Sequence, residues 1–418
     1  MKKNTRSLNR CTLIASLLLP VCMLSAAVSA SPSNQQATPS SLTQASVSTT
    51  SVAQSSGRAF QTWTDVVRTK AYAESQGVYD NVMNVRRWIL TQSGHCTERD
   101  RHILFDMRGN FLEYIEDAVD SPQTQRKLNQ TRQSMAQTGR VHGWVAGNAN
   151  TIGYPFAIRC HQPYVNLPLA ISRYLGEHPD GRLSGNWNGI SVGTPKKQAS
   201  LHEVLQTVYN RRVQQKRITL PPSLLPDLAG MLIIESGGVR EAKSKANARG
   251  ILQLMPQVLK ECGIPANKHL HRIAQVDCAL WLFERNHKML HPVFMARFGH
   301  LPEEKRDQIY RFVLIQAYHG GPSRVKSLLV DGELSKPAAY FAAHHEQFSA
   351  GDIAFGMVFH NLGRNRLGFA SLYYTADIRV ALQLLETKKQ SKKPQKNTKQ
   401  NIAAVSAPTV SNAVISMQ

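Results

Sequence analysis

Acidic residues are scarce in this chain. Its 418 residues include 28 Asp and Glu against 50 Lys and Arg, so the formal net charge is +22. Charged residues make up 19% and hydrophobic residues 42%, which excludes a wholly disordered, a collagen-like or a polytopic membrane chain. The surplus of bases indicates an anionic partner such as nucleic acid, a membrane surface or an acidic polymer. The length suggests two or three domains.

The apolar run near the N-terminus is too interrupted for a spanning helix. It extends from residue 11 to residue 27, is broken by Pro20 and ends in Val28-Ser29-Ala30 after a basic start. This pattern predicts a signal peptide over 1–30 and export to the periplasm of a Gram-negative cell. An uncleaved N-terminal anchor is the alternative, and only it or the signal would contact a membrane. Lipoprotein processing at Cys22 is disfavoured because Val21 precedes it. After export we expect no nucleic-acid partner.

Composition divides the rest of the chain. Residues 31–57 contain little beyond Ser, Thr, Gln, Ala and Pro, which predicts a disordered linker. Residues 386–418 begin with a lysine run and predict a Lys-rich disordered tail, either simply solvated or adhering to an anionic polymer. Between them we predict an N-terminal domain of unknown role over 58–200 and a catalytic domain over 201–385.

The N-terminal half combines two patterns. From Phe60 to about Gly139 the apolar spacing of three and four predicts helices, and Asp120-Ser121-Pro122 is typical of a helix start. Residues 142–193 are rich in Gly and Asn and predict turns with irregular structure or short strands. Aromatic rings stack on sugars, but burial in a core is the more common role for tryptophans such as those in this half, at positions 63, 88, 144 and 187.

Four of the six cysteines follow the predicted signal peptide, at positions 96, 160, 262 and 278. In an exported protein an even number indicates disulfides, with three possible connectivities. The most parsimonious pairing is 96–160 and 262–278. A zinc site built from His95, Cys96, Cys160 and His161 is the weaker alternative, because its spacing matches no standard zinc motif.

A carboxylate at a predicted helix end is the first candidate for chemistry. Pro221-Pro222-Ser223 predicts the start of a helix, which carries Glu235 in its last turn and stops at Gly237-Gly238. The helix dipole and apolar neighbours disfavour the ionised carboxylate there, so the pKa should be raised as a general acid requires. A plain surface residue at a helix end is the alternative.

Three sequence blocks bear on that choice. The first runs from Glu235 to Pro256 and reads ESGGVREAKSKANARGILQLMP; the second is Ala317-Tyr318-His319-Gly320-Gly321-Pro322; the third, weaker, is Tyr374-Thr375-Ala376-Asp377-Ile378. In this order and register they resemble the lytic transglycosylase (SLT) domain of the goose-type lysozyme-like superfamily. The register assigns the acid role to Glu235 rather than to Glu241.

The resemblance implies a mainly α fold with a lysozyme-like (goose-type) helical catalytic domain. The apolar spacing in the N-terminal half predicts that a separate, mostly helical domain precedes it. The resemblance also implies peptidoglycan glycan strands as substrate and cleavage of the MurNAc-β-1,4-GlcNAc bond with 1,6-anhydro-MurNAc ends. Glu235 would be catalytic, and the substrate-binding residues would be Ser236, Gln253, Tyr318, His319 and Tyr374. No cofactor or metal is implied. General wall turnover and service to a cell-envelope machine, for secretion or conjugation, are both open.

Two positions depart from the family pattern. His319 stands where the family has Asn, and Gly238 where an aromatic residue is common. A histidine still donates a hydrogen bond but also ionises, so activity could differ in strength, pH dependence or specificity. A lysozyme-type hydrolase and a catalytically silent peptidoglycan-binding protein are the alternative functions.

Overall fold

The protein is described from a computed structural model, which covers residues 71–91, 101–106, 108–138, 157–159 and 165–392. The chain divides into two units, 1–57 and 58–418, and every described residue belongs to the second. The predicted signal peptide and linker, Trp63, Trp144, the pair Cys96–Cys160 and the alternative zinc ligands lie outside the described residues.

Helices account for most of the described chain, as the mainly α expectation requires. Their order is α1 (Val78–Thr91), α2 (Ser121–Gln137), α3 (Leu167–Tyr174), α4 (Leu201–Gln214), α5 (Leu225–Ser236), α6 (Pro256–Glu261), α7 (Arg272–Phe298), α8 (Glu303–Gly320), α9 (Pro322–Val330), α10 (Lys336–Ala343), α11 (Ala350–Phe359) and α12 (Phe369–Ser391). The predicted helix starts at Ser121 and after Pro221-Pro222-Ser223 are confirmed.

The strands are short and lie in the N-terminal half. Strands β1 (Arg101–Phe105), β2 (Phe111–Glu116) and β3 (Ala157–Arg159) form an antiparallel sheet in the order β2-β1-β3. Four further short strands follow: β4 (Arg182–Leu183), β5 (Gly185–Trp187), β6 (Ile190–Val192) and β7 (Ala199–Ser200). Strand β4 pairs with β7, and β5 pairs with β6.

The prediction of helices from Phe60 to about Gly139 is therefore wrong for residues 101–116. Asp106 caps a tight turn there, because its side chain accepts hydrogen bonds from the backbone N–H groups of Arg108 and Asn110, at 2.8 Å each. Gly109 in this turn has a φ of 79°, where a side chain would be strained. The turn joins β1 to β2 as a hairpin. The prediction of short strands within 142–193 is confirmed by the β5–β6 hairpin.

One hydrophobic core runs through both halves of the described chain. It includes Val78, Val82, Met83 and Leu90 of α1 together with residues of the helices from α3 to α12. A smaller cluster joins Val85 and Ile89 of α1 to Ile103 and Phe105 of β1. A separate N-terminal domain is thus not confirmed, and the boundary at residue 200 stays a prediction.

Three helices that will carry the candidate site lie close together in this core. Gly230 in the middle of α5 faces α12, and a Cβ atom at this position would lie 2.8 Å from Cγ2 of Ile378. The missing side chain lets the two helix axes approach closely. Near the start of α5, the buried Asp227 accepts two hydrogen bonds from Arg311 of α8, at 2.6 and 2.8 Å. These contacts fix α5 against α12 and α8.

The structure describes two of the four tryptophans of the N-terminal half, and both pack against other side chains. Trp88 stacks on Phe111 at 4.5 Å between ring centroids, and Trp187 is 8% exposed and donates its Nε1–H to Asp277 at 3.1 Å. Burial in the core is therefore confirmed for Trp187, whereas Trp88 is half-buried and packs against the smaller cluster of α1 and β1.

Helix α12 ends at Ser391, past residue 385 where we placed the end of the folded part. Lys388 and Lys392 on its last turns both pair with Glu177. These contacts explain why the first residues of the predicted disordered tail are helical. No helix in the described part of the chain is long and apolar enough to cross a membrane.

The predicted disulfide between Cys262 and Cys278 is confirmed. It connects the end of α6 to the first turns of α7 and closes a loop with a sequence separation of 16 residues. A covalent link of this length stabilises mainly by reducing the conformational entropy of the unfolded chain.

Replacing both cysteines, in Cys262→Ala/Cys278→Ala, should lower the free energy of unfolding by about 3 kcal/mol. Urea denaturation followed by circular dichroism measures this difference. Adding a reductant should destabilise the wild type more than the double variant, in which only the predicted Cys96–Cys160 pair remains to be reduced. Equal stability of the two proteins under oxidising conditions would contradict the structural role of this link.

Candidate active site

Glu235 lies in the last turn of a helix that is buried along most of its length. Residues 227–233 of α5 are all buried, and the helix ends because Gly237 adopts a left-handed φ of 62°. The Gly237 N–H closes the last turn by donating to the carbonyl oxygen of Ile233 at 3.0 Å. Glu235 itself is half-buried. Its position confirms the predicted helix and the predicted glycine stop.

The Glu235 carboxyl has a neutral partner. The hydroxyl of Tyr374 on α12 donates a hydrogen bond to Oε1 of Glu235 at 2.6 Å. Desolvation by burial raises the pKa of Glu235 to about 7, and the hydrogen bond from Tyr374 opposes this rise. The partial negative charge at the C-terminal end of α5 acts in the same direction as burial. Glu235 therefore has the pKa of a group that gives and takes protons near neutral pH.

The rival carboxyl has a different environment. Glu241 is exposed, and its side chain lies 3.6 Å from Nε of Arg240 in a surface ion pair. In the described residues no ion pair involves Glu235. Of these two carboxyl groups, Glu235 alone lies within the helical bundle.

A glycine-rich loop after α5 covers one side of Glu235, and two of the predicted site residues hold it. Oγ of Ser236 donates to the carbonyl oxygen of Ile251 at 2.8 Å and accepts from the Gly238 N–H at 3.1 Å. Nε2 of Gln253 donates to the carbonyl oxygens of Ala242 and Gly250, at 3.1 and 2.9 Å. Both side chains therefore order the loop; contact of either with a sugar stays a prediction.

Two tyrosines face this arrangement from other helices. Tyr318, at the end of α8, donates its hydroxyl hydrogen to the carbonyl oxygen of Leu252 at 2.7 Å, and its ring lies 5.6 Å from that of Phe283. Burial, and next the negative charge of Glu235, hold the pKa values of Tyr318 and Tyr374 well above 10. Both hydroxyls therefore stay protonated and act as hydrogen-bond donors at neutral pH.

His319 stacks on Tyr374, with ring centroids 4.4 Å apart and an angle of 20° between the planes. The residue as a whole is exposed. Desolvation of the ring and the nearby positive charge of Arg324 lower the pKa of His319. At neutral pH the ring is thus mainly uncharged, and its departure from the family's Asn adds no cation beside Glu235.

The structure also explains why a glycine, and not an aromatic residue, stands at position 238. Its φ is 75°, and a Cβ atom there would lie 3.0 Å from Cδ1 of Leu201 and 3.3 Å from Cβ of Arg173. An aromatic side chain could not be accommodated without moving both neighbours. In this protein Leu201 and Arg173 occupy the space beside this glycine.

One residue of the site was missed from the sequence. Gln275 of α7 is fully buried, and its Nε2 donates to the carbonyl oxygen of Arg249 at 3.3 Å and to that of His269, while its Oε1 accepts from the Leu252 N–H at 3.4 Å. Gly250 packs directly against this amide. Gln275 is a polar residue within an ordinary helical pattern, and it is distant in the chain from the loop that it contacts. Its support of the loop therefore could not be predicted from the sequence.

The structure thus brings together all six predicted site residues. Glu235, Tyr374 and His319 are linked in series, and Ser236, Gln253 and Tyr318 hold the loop next to them. Residues 212–331 match the family model of the transglycosylase SLT domain. This part of the chain is therefore similar to transglycosylase SLT domains.

The SLT domain is a lysozyme-like helical domain that acts on peptidoglycan, in agreement with the resemblance read from the motifs. The match includes five of the six site residues but ends before Tyr374. A search among curated proteins found no match to the chain. Among the described residues, no group of three or more His, Cys, Asp or Glu side chains could hold a metal ion.

Glu235→Gln should stabilise the protein at high pH. The carboxyl has a pKa of about 7 in the folded state and 4.5 as its ordinary value, so the folded state keeps its proton while the unfolded state loses it. Stability from this group is therefore greatest below pH 4.5 and is lost as pH rises to about 7. Relative to wild type, the variant should gain about 3 kcal/mol between pH 4 and pH 8.5.

Urea denaturation at a series of pH values measures this gain. Glu241→Gln is the matched control, because the Glu241 side chain is exposed, and it should show no comparable gain. A pH-independent difference between wild type and Glu235→Gln would mean that the carboxyl titrates normally.

Gly250→Ala should destabilise the SLT domain by about 3 kcal/mol, from backbone strain together with a clash in a packed interior. Its φ is 71°, and the new Cβ would lie 1.9 Å from Nε2 of Gln275. Gly263→Ala is the control, because Gly263 has a φ of 72° but open space around its Cβ position. That variant should lose only about 1 kcal/mol. Equal losses in thermal denaturation would argue against packing on Gln275.

Proposed function

We propose that the protein is a peptidoglycan lytic transglycosylase. It would cleave the MurNAc-β-1,4-GlcNAc bond and leave 1,6-anhydro-MurNAc ends. The observation that carries the proposal is the half-buried Glu235, with a pKa of about 7 and a hydrogen bond from Tyr374. The SLT family match supports the substrate class.

The environment of other carboxyl groups favours a mechanism with a single acid. Glycosidases that hydrolyse their substrates ordinarily use two carboxyl groups on either side of the scissile bond. Among the described acids, Glu241 is exposed beside Arg240, and Asp377 is held in an ion pair by Arg86. Asp377 is thus bound to Arg86, and Glu241 lies on the surface rather than in the bundle beside Glu235. One group that serves as acid and then as base accounts for this arrangement.

The proposed reaction has two proton transfers through Glu235. The protonated carboxyl first gives its proton to the glycosidic oxygen, and the bond from that oxygen to C1 of MurNAc breaks. The 6-hydroxyl oxygen of the same sugar then forms a bond to C1, and its proton returns to the Glu235 carboxylate. Because the nucleophile belongs to the substrate, no water is consumed and the enzyme regains its starting protonation state.

The neighbours of Glu235 suit these two proton transfers. Between the two transfers Glu235 is an anion in a poorly solvated place, and the hydroxyl of Tyr374 donates to it at 2.6 Å. Such a hydrogen bond to a charged acceptor is worth about 1.5–3 kcal/mol. Tyr318 and the loop of residues 250–254 would form a cleft wall, and Ser236, Gln253 and His319 would contact or position the sugar. This assignment rests on the family motif.

We further propose that the protein works in the periplasm. The support is the basic start, the interrupted apolar run and Val28-Ser29-Ala30 at the N-terminus. The confirmed disulfide between Cys262 and Cys278 agrees with an oxidising compartment. Without the four bases of the predicted signal peptide the chain keeps a net charge of +18, which would favour adhesion to an anionic wall polymer.

Incubation of the protein with purified peptidoglycan sacculi tests the reaction. Mass spectrometry of the soluble products should reveal muropeptides with anhydro ends, lighter than hydrolysis products by one water. Glu235→Gln should lower the rate of release at least about 100-fold, as expected for loss of a general acid. Glu241→Gln should release products at the wild-type rate.

The other outcomes have definite meanings. Reducing ends would identify a lysozyme-type hydrolase. Binding to sacculi without release of products would identify a catalytically silent peptidoglycan-binding protein. Undiminished release by Glu235→Gln would exclude Glu235 as the acid.

A further inference from the structure

An ion pair joins the first described helix to the helix that carries Tyr374. Nε and Nη2 of Arg86 on α1 donate to Oδ1 and Oδ2 of Asp377 on α12, at 2.6 and 2.9 Å. The side chains are only 4% and 13% exposed. The guanidinium carbon of Arg86 also lies 4.8 Å from the centre of the Tyr373 ring. Two parallel charge-assisted hydrogen bonds fix the orientation of one helix against the other.

The position of this pair relates it to the candidate site. Asp377 follows Tyr374 by three residues, so the two side chains lie on neighbouring turns of α12 and on the same side of the helix. Tyr374 in turn donates to Glu235. A contact that fixes the rotation of α12 at Asp377 therefore fixes the direction in which the Tyr374 hydroxyl points.

A second contact holds the same part of α12 from α8. Nε2 of Gln316 donates to Oγ1 of Thr375 at 2.6 Å, and also to the carbonyl oxygen of Ser371. Thr375 is the residue next to Tyr374 in the chain. The turn that presents Tyr374 is thus held by α8 through Gln316 and by α1 through Arg86.

Stability alone is a weak explanation for the Arg86–Asp377 pair. Replacing buried ion pairs by apolar side chains of similar volume is often neutral or stabilising, because taking two charges out of water is costly. Burial raises the pKa of Asp377, and Arg86 opposes this rise. The geometric precision of the pair is what an apolar contact would not reproduce.

We propose that Arg86 is a positioning residue for the catalytic centre: through Asp377 it holds α12 where Tyr374 can donate its hydrogen bond to Glu235. The inference rests on the proposed function for its catalytic meaning. Arg86 lies upstream of the matched residues 212–331, and Tyr374 lies downstream of them. The working site would then depend on two segments outside the SLT match that contact each other.

The test follows the pKa of Glu235, because the hydrogen bond from Tyr374 lowers it. Carbon-13 NMR of labelled glutamate carboxyl groups in the full chain gives this value, with the Glu235 signal assigned by its loss in Glu235→Gln. Arg86→Met should raise the pKa of Glu235 by about 1, the shift that corresponds to losing one hydrogen bond to a charged group. Tyr374→Phe should raise it by a similar amount.

Combining the two changes separates positioning from other effects. If Arg86 acts through Tyr374, then Arg86→Met/Tyr374→Phe should show no further rise beyond Tyr374→Phe alone. Among the described residues, the other ionisable groups near Glu235 and Tyr374 are Tyr318, His319, Arg324 and Asp377, and none of them is substituted in these three proteins. The carboxyl of Asp377 loses its partner equally in Arg86→Met and in the double variant, so any direct effect of its charge on Glu235 would appear in both. Additive shifts would overturn the inference, because Arg86 would then act on Glu235 by a separate route.

Arg87→Met is the matched control. Arg87 is the next residue of α1 and also reaches α12, where its Nη2 donates to Oε1 of Gln383 at 3.2 Å, but this contact is exposed. It should leave the pKa of Glu235 unchanged. Arg86→Lys keeps the charge without the two parallel hydrogen bonds and should give a smaller rise than Arg86→Met.

Should Arg86→Met fail to fold, Arg86→Met/Asp377→Leu replaces the pair by apolar side chains and removes the uncompensated carboxylate. A raised pKa of Glu235 in this folded double variant supports the inference, and a wild-type value overturns it. The titration does not need turnover. If the wild type releases no muropeptides while the shifts appear as expected, the proposed function fails and the positioning role of Arg86 stands.

Discussion

The site depends on a carboxyl group that is kept at the end of a buried helix without a positive partner. Helix α5 is apolar along nearly its whole length, so it enters the core and takes Glu235 with it. A carboxylate there would normally be neutralised by a nearby Arg or Lys. Instead, Tyr374 supplies a neutral donor, which leaves the pKa near 7. The packing of three helices maintains this balance between burial and one hydrogen bond.

The loop after α5 shows how polar side chains act as internal supports. Ser236 and Gln253 direct their donors to backbone carbonyl oxygens of the loop, and Gln275 contacts it from α7. Unpaired backbone groups in such a place would be costly. These three residues therefore keep the backbone of residues 237–254 ordered beside Glu235, whatever contact they also make with a sugar.

Part of the fold and part of the candidate site could be predicted from residues that are neighbours in the sequence. The glycine stop after Glu235, the helix start at Ser121 and the short-range pair Cys262–Cys278 involve neighbours in sequence, and all three are as predicted. The β1–β2 hairpin was missed because helical spacing in α1 was extended across a turn centred on Gly109. The roles of Gln275 and Arg86 could not be predicted, since their partners are distant in the chain. Tyr374, in the weakest block, makes the most direct contact with Glu235.

Helix α12 also connects the candidate site to a second contact near its C-terminal end. From Tyr374 to its end at Ser391 the helix is about 26 Å long, at a rise of about 1.5 Å per residue. Its last turn is held at Glu177 by Lys388 and, just past the helix end, by Lys392. The helix is thus held at two places, by Tyr374 at Glu235 and by its last lysines at Glu177, so a shift at the exposed contact would be passed along the rigid helix to the candidate site.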